Sequence, residues 1–217
     1  MGSPFPDGVD VPAYPVTSSR RSTAESTDRS PFIHGPLSAN VNPESEEYGA
    51  VVYDLDGTLV RLAVDWEAAA SDAVATFADA GVDAADADLW SLFETAPEHG
   101  LAAELEAILA DHERRGAEDA TRLPHADRVP EWPVPVGVCS LNAESACRLA
   151  LDRHDLLAHV DAVVGRDSVA THKPDPEPLL TTIDRLGAEP SSSLFVGDSE
   201  RDAVTAKRAG VAFEWVD

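Results

Sequence analysis

Val51-Val52-Tyr53-Asp54-Leu55-Asp56-Gly57-Thr58-Leu59-Val60 is the stretch of this chain that decides its fold. An apolar run ends there in two aspartates one residue apart, followed by a glycine and a threonine. If residues 50–53 form a buried strand, its carboxyl end delivers Asp54 and Asp56 into the crevice where open α/β sheets bind ligands. Two carboxylates this close repel each other, which predicts a cation between them, such as a hard metal ion. Taken alone, the two aspartates fit an ordinary Asp-Gly turn equally well.

Strands and helices alternate along most of the chain that follows. Apolar runs predict strands at 50–53, 134–139, 160–164, 194–196 and 211–215. Helical periodicity predicts helices between them at 143–153, 176–186 and 201–209. Because this alternation is typical of an α/β fold, we predict a Rossmann-like parallel sheet with right-handed crossovers and helices on both faces.

Residues 61–133 interrupt the alternation directly after the first strand. Apolar spacing predicts three helices there, at 64–82, 86–95 and 101–115, followed by an irregular link. An insert at this position lies over the carboxyl end of the sheet, so we predict a small helical cap. The predicted segments are a disordered N-terminal extension at 1–48, rich in Pro, Ser and Thr, a core domain at 49–60 and 134–217, and the cap at 61–133.

Forty acidic residues against sixteen basic ones give the chain a net charge of −24. Such a field repels nucleic acid and anionic lipid, so we predict neither nucleic acid nor membrane as a partner. The acidity is typical of proteins from salt-saturated cytoplasm, where molar cations screen the self-repulsion. No apolar segment follows Ser19-Arg20-Arg21-Ser22 to complete an export signal. We therefore predict a halophilic, cytoplasmic protein.

Polar residues follow two of the later strands. Ser140 and Asn142 come after the strand at 134–139, where a hydroxyl and backbone N–H groups can hold phosphate oxygens. Taken alone, Ser140 fits better as the N-cap of the next helix. Asp198 fits a magnesium ligand, because Mg²⁺ prefers a few carboxylates plus waters. Asp202, four residues later, also fits a first-turn acid that favours the helix dipole.

Along the chain, Lys173 stands between Asn142 and Asp198, in the segment His172-Lys173-Pro174-Asp175-Pro176. A lone lysine is most often a solvated surface charge. The two prolines hold the backbone extended around this one. A rigidly placed ammonium can neutralise both a phosphoryl group and a cluster of aspartates.

Together and in this order, these residues resemble the four motifs of the haloacid dehalogenase (HAD) superfamily. The motifs are DxDGTLV at 54–60, Ser140 after its apolar run, Lys173 before Pro174, and GDSxxD at 197–202. The resemblance extends from about residue 49 to the end and implies a Rossmann-like core, a cap domain and an essential Mg²⁺. The helical insert is similar to a C1-type cap, and the enzymes it resembles most are phosphoglycolate-phosphatase-like.

The resemblance implies a role for each site residue. Asp54 would attack phosphorus and form an aspartyl-phosphate. Asp56 would protonate the leaving group and then activate water. The implied metal ligands are Asp54, the Asp56 backbone carbonyl, Asp198 and Asp202. The implied phosphate-binding residues are Thr58, Ser140, Asn142 and Lys173.

An acid at Asp56 favours phosphate chemistry over dehalogenation, because a halide leaving group needs no proton. We therefore predict a Mg²⁺-dependent phosphatase that acts on a small phosphorylated metabolite, as a monomer or homodimer. Two alternatives stay open: a phosphotransferase of the β-phosphoglucomutase type, and a non-catalytic HAD scaffold that binds partners. Structural roles are expected for four polar or aromatic residues of the predicted cap: Arg61, Asp65, Trp66 and His99.

Overall fold

Five parallel strands form the central sheet of the protein, which the computed structural model describes over residues 48–216. Within that range the strands are β1 (Ala50–Tyr53), β2 (Val60–Arg61), β3 (Thr121–Arg122), β4 (Val136–Cys139), β5 (Ala162–Val164), β6 (Ser193–Gly197) and β7 (Ala212–Trp215). The order in the sheet is β5-β4-β1-β6-β7, so β1 is its central strand. The extension predicted at 1–48 lies, apart from its last residue, outside the described residues.

Helices separate the strands as the periodicity predicts. Over the same range they are α1 (Trp66–Asp79), α2 (Leu89–Thr95), α3 (Ala102–Glu118), α4 (Glu144–Arg153), α5 (Glu177–Arg185) and α6 (Glu200–Ala209). None of these helices combines the length and the apolar character that crossing a bilayer requires.

Both faces of the sheet are covered. Val51 and Tyr53 of β1 belong to an apolar cluster on one face, whereas Val52 packs on the other face in a cluster with Phe195 and Leu179 of α5. Side chains alternate across a strand, so the four buried apolar residues of β1 require cover on both sides. The predicted Rossmann-like α/β fold is confirmed.

Helices α1, α2 and α3 form a separate layer with an apolar cluster of its own. Asp65 caps α1 and accepts a hydrogen bond from the N–H of Ala68, which fixes where the layer begins. Phe77 of α1, Leu92 of α2 and Leu105 of α3 are buried in the cluster. The apolar periodicity of this insert therefore builds a helical layer rather than an extension of the sheet.

The link predicted as irregular after α3 is ordered, and its last part packs on the central core. β3 pairs antiparallel with β2 and closes the base of the insert. The segment Pro124–Glu131 then forms 3₁₀ turns, and Nε1 of Trp132 donates a hydrogen bond to the hydroxyl of Tyr53 at 2.8 Å. The sequence did not predict these elements, because two-residue strands and proline-containing turns have no apolar periodicity.

Candidate active site

The loop after β1 makes one tight turn at the carboxyl edge of the sheet. The backbone N–H groups of residues 58–60 all donate to the carbonyl oxygen of Leu55. Gly57 has a φ of +92°, which glycine adopts without strain, and a Cβ there would collide with the carboxylate of Asp198. The turn therefore brings Asp54 and Asp198 into one crevice.

Lys173 joins two of the predicted carboxylates. Its Nζ donates to Oδ1 of Asp54 at 2.8 Å and to Oδ1 of Asp202 at 2.6 Å. The lysine is only 2% exposed, and its ammonium lies over the ring of Phe195, 5.5 Å from the centroid. Burial alone would lower the pKa of Lys173, but the carboxylates of Asp202 and Asp54 outweigh it and raise that pKa. Lys173 is therefore a fixed positive charge inside the site.

Asp202 is held by the first turn of α6. Ser199 caps this helix, since its Oγ accepts from the N–H of Asp202 and donates to Oδ2 of Asp202 at 2.5 Å. Gly197 leaves the space that the Asp202 side chain fills, because a Cβ at 197 would overlap it. Asp202 is thus the first-turn acid that one interpretation of the sequence predicts. With its other oxygen it also orients Lys173.

Three carboxylates cluster around this single ammonium. Asp54, Asp198 and Asp202 each offer one oxygen, and these oxygens lie within 4.8 Å of one another. Burial raises the pKa of Asp54 against the lowering effect of Lys173, and burial together with Asp202 raises the pKa of Asp198. Both shifts are relieved by a second positive charge, so the donor set fits a hard divalent cation such as Mg²⁺.

Asp56 lies two residues beyond Asp54 in a different environment. Its Oδ1 accepts a hydrogen bond from the backbone N–H of Leu62 at 2.9 Å. Burial raises the pKa of Asp56 to about 6, and the Leu62 hydrogen bond counteracts part of that rise. A carboxyl group in this range exchanges protons near neutral pH, which suits an acid/base.

Ser140 and Asn142 form a compact loop after β4. Oγ of Ser140 donates to Oδ1 of Asn142 at 3.1 Å and accepts from the N–H of Asn142 at 3.2 Å. Helix α4 begins at Glu144 and its N-cap residue is Ala143, so Ser140 is not its N-cap. The alternative favoured for Ser140 alone is therefore wrong, because the hydroxyl turns back onto its own loop.

Thr58 is buried, and its hydroxyl lacks a hydrogen-bond partner among residues 48–216. A buried hydroxyl without a partner costs free energy. This cost is removed when a bound group supplies an acceptor or donor. The Thr58 hydroxyl is thus available to a ligand.

A cleft lies between the helical layer and the core. Its lining is mainly apolar and aromatic on the helical side and more polar on the core side. Trp66, Trp90 and Phe93 line it from the helices, and Leu141, Arg166 and His172 line it from the core. Leu141 and His172 directly adjoin Ser140 and Lys173 in the chain, so the cleft opens beside the predicted site.

The four cap residues named from the sequence differ in their surroundings. Asp65 caps α1, and His99 packs edge-on against Phe77 with ring centroids 5.6 Å apart, so both are structural. Trp66 lines the cleft, and Arg61 is exposed on β2. Sequence reasoning missed Glu113 and Arg166, which border the cleft, because charged residues in a charged helix or after a strand resemble a solvated surface.

Much of the chain is similar in sequence to known proteins. The family model for haloacid dehalogenase-like hydrolases matches residues 127–216. Phosphoglycolate phosphatase of Cereibacter sphaeroides is 35% identical over 183 residues, which cover 75% of this chain and 82% of the relative. Phosphoglycolate phosphatase of Aquifex aeolicus is 29% identical over 177 residues, covering 74% and 80%.

Solved structures share the fold. A HAD-superfamily hydrolase of subfamily IA from Geobacter sulfurreducens superposes with a TM-score of 0.52 at 25% identity, over 76% of this chain and 88% of that one. CbbY from Rhodobacter sphaeroides in complex with xylulose-(1,5)bisphosphate has a TM-score of 0.58 at 18% identity, over 77% and 85%. This chain therefore belongs to the haloacid dehalogenase-like hydrolase family, as a phosphoric monoester hydrolase similar to the phosphoglycolate phosphatases.

Proposed function

We propose that this chain is a Mg²⁺-dependent phosphatase that hydrolyses a small phosphorylated metabolite through an aspartyl-phosphate on Asp54. The observation that carries the proposal is the buried ammonium of Lys173, shared by Asp54 and Asp202 beside Asp198. A substrate dianion would be repelled by three carboxylates on a chain of net charge −24 unless the local charge is cancelled. Lys173 supplies part of that cancellation.

The residues that would hold Mg²⁺ are Asp54, Asp198 and the backbone carbonyl of Asp56. When bound, the ion neutralises charge that develops on the phosphoryl oxygens. Asp202 belongs to the same cluster, but its oxygens already accept hydrogen bonds from Lys173 and Ser199. We therefore assign Asp202 chiefly to orienting Lys173.

Asp54 acts as the nucleophile. Its carboxylate oxygen forms a bond to phosphorus while the ester P–O bond breaks, and the departing oxygen takes a proton from Asp56. Asp56, now a carboxylate, accepts a proton from water, whose oxygen attacks the same phosphorus. The Asp54–phosphorus bond breaks, phosphate leaves, and both aspartates return to their starting states. The separation of roles rests on the surroundings: Lys173 contacts Asp54 and not Asp56.

Lys173 and the Ser140–Asn142 loop hold the phosphoryl oxygens in this proposal. The amide of Asn142 and the hydroxyl of Ser140 lie at the carboxyl end of β4, next to the strand that carries Asp54. The hydroxyl of Thr58, which has no hydrogen-bond partner among residues 48–216, adds another group for a phosphoryl oxygen. Donors fixed in this way stabilise a charge-rich transition state without reorganising.

The test is hydrolysis of p-nitrophenyl phosphate and of phosphoglycolate in molar KCl with Mg²⁺. We expect wild type to release inorganic phosphate from at least one ester, and Asp54→Asn to release none. Asp65→Asn is the matched control, because asparagine and aspartate cap a helix about equally well. Equal hydrolysis by wild type and Asp54→Asn would rule out Asp54 as the nucleophile.

The reaction products distinguish a phosphatase from the two alternative functions. A phosphotransferase of the β-phosphoglucomutase type would return an isomerised sugar phosphate with little inorganic phosphate. A non-catalytic scaffold would turn over no phosphate ester under any salt condition. The homologues named phosphoglycolate phosphatase favour phosphate release, and the CbbY likeness, at 18% identity, concerns the fold alone.

A further inference from the structure

Arg166 lines the cleft beside the predicted phosphate site, yet its guanidinium is fully engaged by protein. Nε and Nη2 donate to the two carboxylate oxygens of Glu106 at 3.0 and 2.8 Å. Nη1 and Nη2 donate to the two oxygens of Glu113 at 2.6 and 3.2 Å, and Nη1 also donates to the carbonyl of Leu141 at 2.8 Å. A guanidinium has five N–H donors, and these contacts occupy all of them. Arg166 therefore has no donor left for a substrate.

Glu113 completes a clamp on the loop that carries Ser140 and Asn142. Its Oε2 accepts a hydrogen bond from the backbone N–H of Ala143 at 2.8 Å. Together with Arg166 on the carbonyl of Leu141, it grips the backbone on both sides of Asn142. The carbonyl of Asn142 is held as well, by the backbone N–H of Arg166 at 2.9 Å.

The clamp is buried and closely packed. Glu113 is 1% exposed, and the Arg166 side chain is 8% exposed. Gly165, which precedes Arg166, touches the loop so closely that a Cβ there would overlap the backbone of Glu144. A buried ion pair is stable only with good geometry and additional hydrogen bonds, and the loop backbone supplies those bonds here.

The clamp also joins two parts of the molecule. Glu106 and Glu113 lie two turns apart on one face of α3, in the helical layer, whereas Arg166 follows β5 in the core. The guanidinium carbon of Arg166 lies 5.6 Å from the ring centroid of Phe93 on α2. The position of the loop is thereby tied to the position of the helical layer.

We propose that Arg166 and Glu113 are positioning residues that set the Ser140–Asn142 loop for phosphate binding and couple it to helix α3. The proposal rests on the proposed function, since it assumes that this loop holds the phosphoryl group. Glu106 shares the same guanidinium without touching the loop. A substitution of Glu106 therefore removes an ion pair with Arg166 without removing a contact to the loop.

The experiment compares Glu113→Gln with Glu106→Gln, both of which remove one negative charge from the same arginine. In molar KCl with Mg²⁺, we expect Glu113→Gln to raise KM for p-nitrophenyl phosphate and Ki for inorganic phosphate about ten-fold, the loss expected when a charged hydrogen bond is weakened. Glu106→Gln should leave both within about two-fold. The Mg²⁺ concentration for half-maximal activity should be unchanged in both, because the carboxylate cluster lies on other elements.

Equal shifts in the two variants, or a lower melting temperature for Glu113→Gln with Ki unchanged, would overturn the proposal and leave a purely structural ion pair. If Glu113→Gln does not fold, Glu113→Asp decides, because aspartate keeps the charge but is one methylene too short to hold both Arg166 and the backbone N–H of Ala143. An unchanged Ki in Glu113→Asp would equally overturn the proposal. Calorimetric titration of wild type with inorganic phosphate separates the two failures: no binding by wild type contradicts the proposed function, whereas normal binding by both wild type and Glu113→Gln contradicts only the clamp.

Discussion

The ammonium of Lys173 lies 2.8 Å from a carboxylate oxygen of Asp54, a residue 119 positions away in the chain. Both groups are buried, and the same ammonium reaches Asp202 at 2.6 Å. Lys173 of the third motif therefore joins Asp54 of the first motif to Asp202 of the fourth. The charge balance of these groups affects the stability of the crevice, and in the proposed mechanism it allows an anion to bind there.

Replacing Lys173 by methionine should remove the positive charge that contacts Asp54 and Asp202. We expect kcat/KM for p-nitrophenyl phosphate to fall by at least about 10²-fold, because a fixed charge that stabilises the transition state is lost. The free energy of unfolding without Mg²⁺ should fall by about 3 kcal/mol, since the buried carboxylates lose their positively charged partner. Urea denaturation and steady-state kinetics measure the two effects. Lys207→Met, on an exposed turn of α6, is the control, and wild-type activity in Lys173→Met would contradict the assignment.

Removal of metal should abolish turnover and lower stability. We expect no hydrolysis in EDTA, full recovery with Mg²⁺, and a melting temperature that rises with Mg²⁺ concentration, because an ion held by the native carboxylate cluster would stabilise the folded state. Asp198→Asn should weaken that thermal response. Turnover that survives complete metal removal would refute the mechanism.

Asp56→Asn should separate the two chemical steps. p-Nitrophenolate leaves without a proton, so we expect this variant to release about one equivalent in a burst and then to stall as the aspartyl-phosphate. An alkyl phosphate, whose leaving oxygen needs the proton, should give no burst. Rapid-quench measurement of both esters tests this, with Asp65→Asn as control, and an equal burst from both esters would show that Asp56 is not the acid.

Salt should stabilise the whole protein, because the chain carries a net charge of −24. We expect far-UV circular dichroism to show a cooperative thermal transition in molar KCl and a lower, broader one in dilute buffer, where self-repulsion is unscreened. Sucrose at equal osmolality is the control for a non-ionic effect. Equal stability in molar KCl and in dilute buffer would contradict the halophilic prediction.

The hydrogen bond between Trp132 and Tyr53 predicts that the segment after β3 belongs to the core. Trp132→Phe leaves the buried hydroxyl of Tyr53 without its donor and should lower the free energy of unfolding by about 1–3 kcal/mol. Trp215→Phe is the control, because Trp215 is 50% exposed and should change it by less than about 0.5 kcal/mol. If urea denaturation shows an equal loss of unfolding free energy in both variants, the hydrogen bond between Trp132 and Tyr53 does not contribute to stability.

Local patterns in the sequence predicted the α/β fold class, because strand and helix periods are properties of neighbouring residues. The ends of strands were less accurate: β4 begins at Val136 rather than at residue 134, because Pro135 cannot donate to the ladder. The short pair β2 and β3 was not predicted, since two residues carry no period. These differences concern boundaries and connections and leave the predicted α/β fold class intact.

The sequence by itself determined the order of chemistry-bearing residues and the strand ends that carry them, since an apolar run followed by a polar residue is a local signal. Only the tertiary structure decided which groups touch: that Asp202 holds Lys173, that Ser140 turns onto its own loop, and that Glu113 grips the backbone beside Asn142. Glu113 stands in the charged run 111–115, where a solvated helix face and a buried clamp share one pattern. Contact between distant residues depends on how whole elements pack, and no local period encodes that packing.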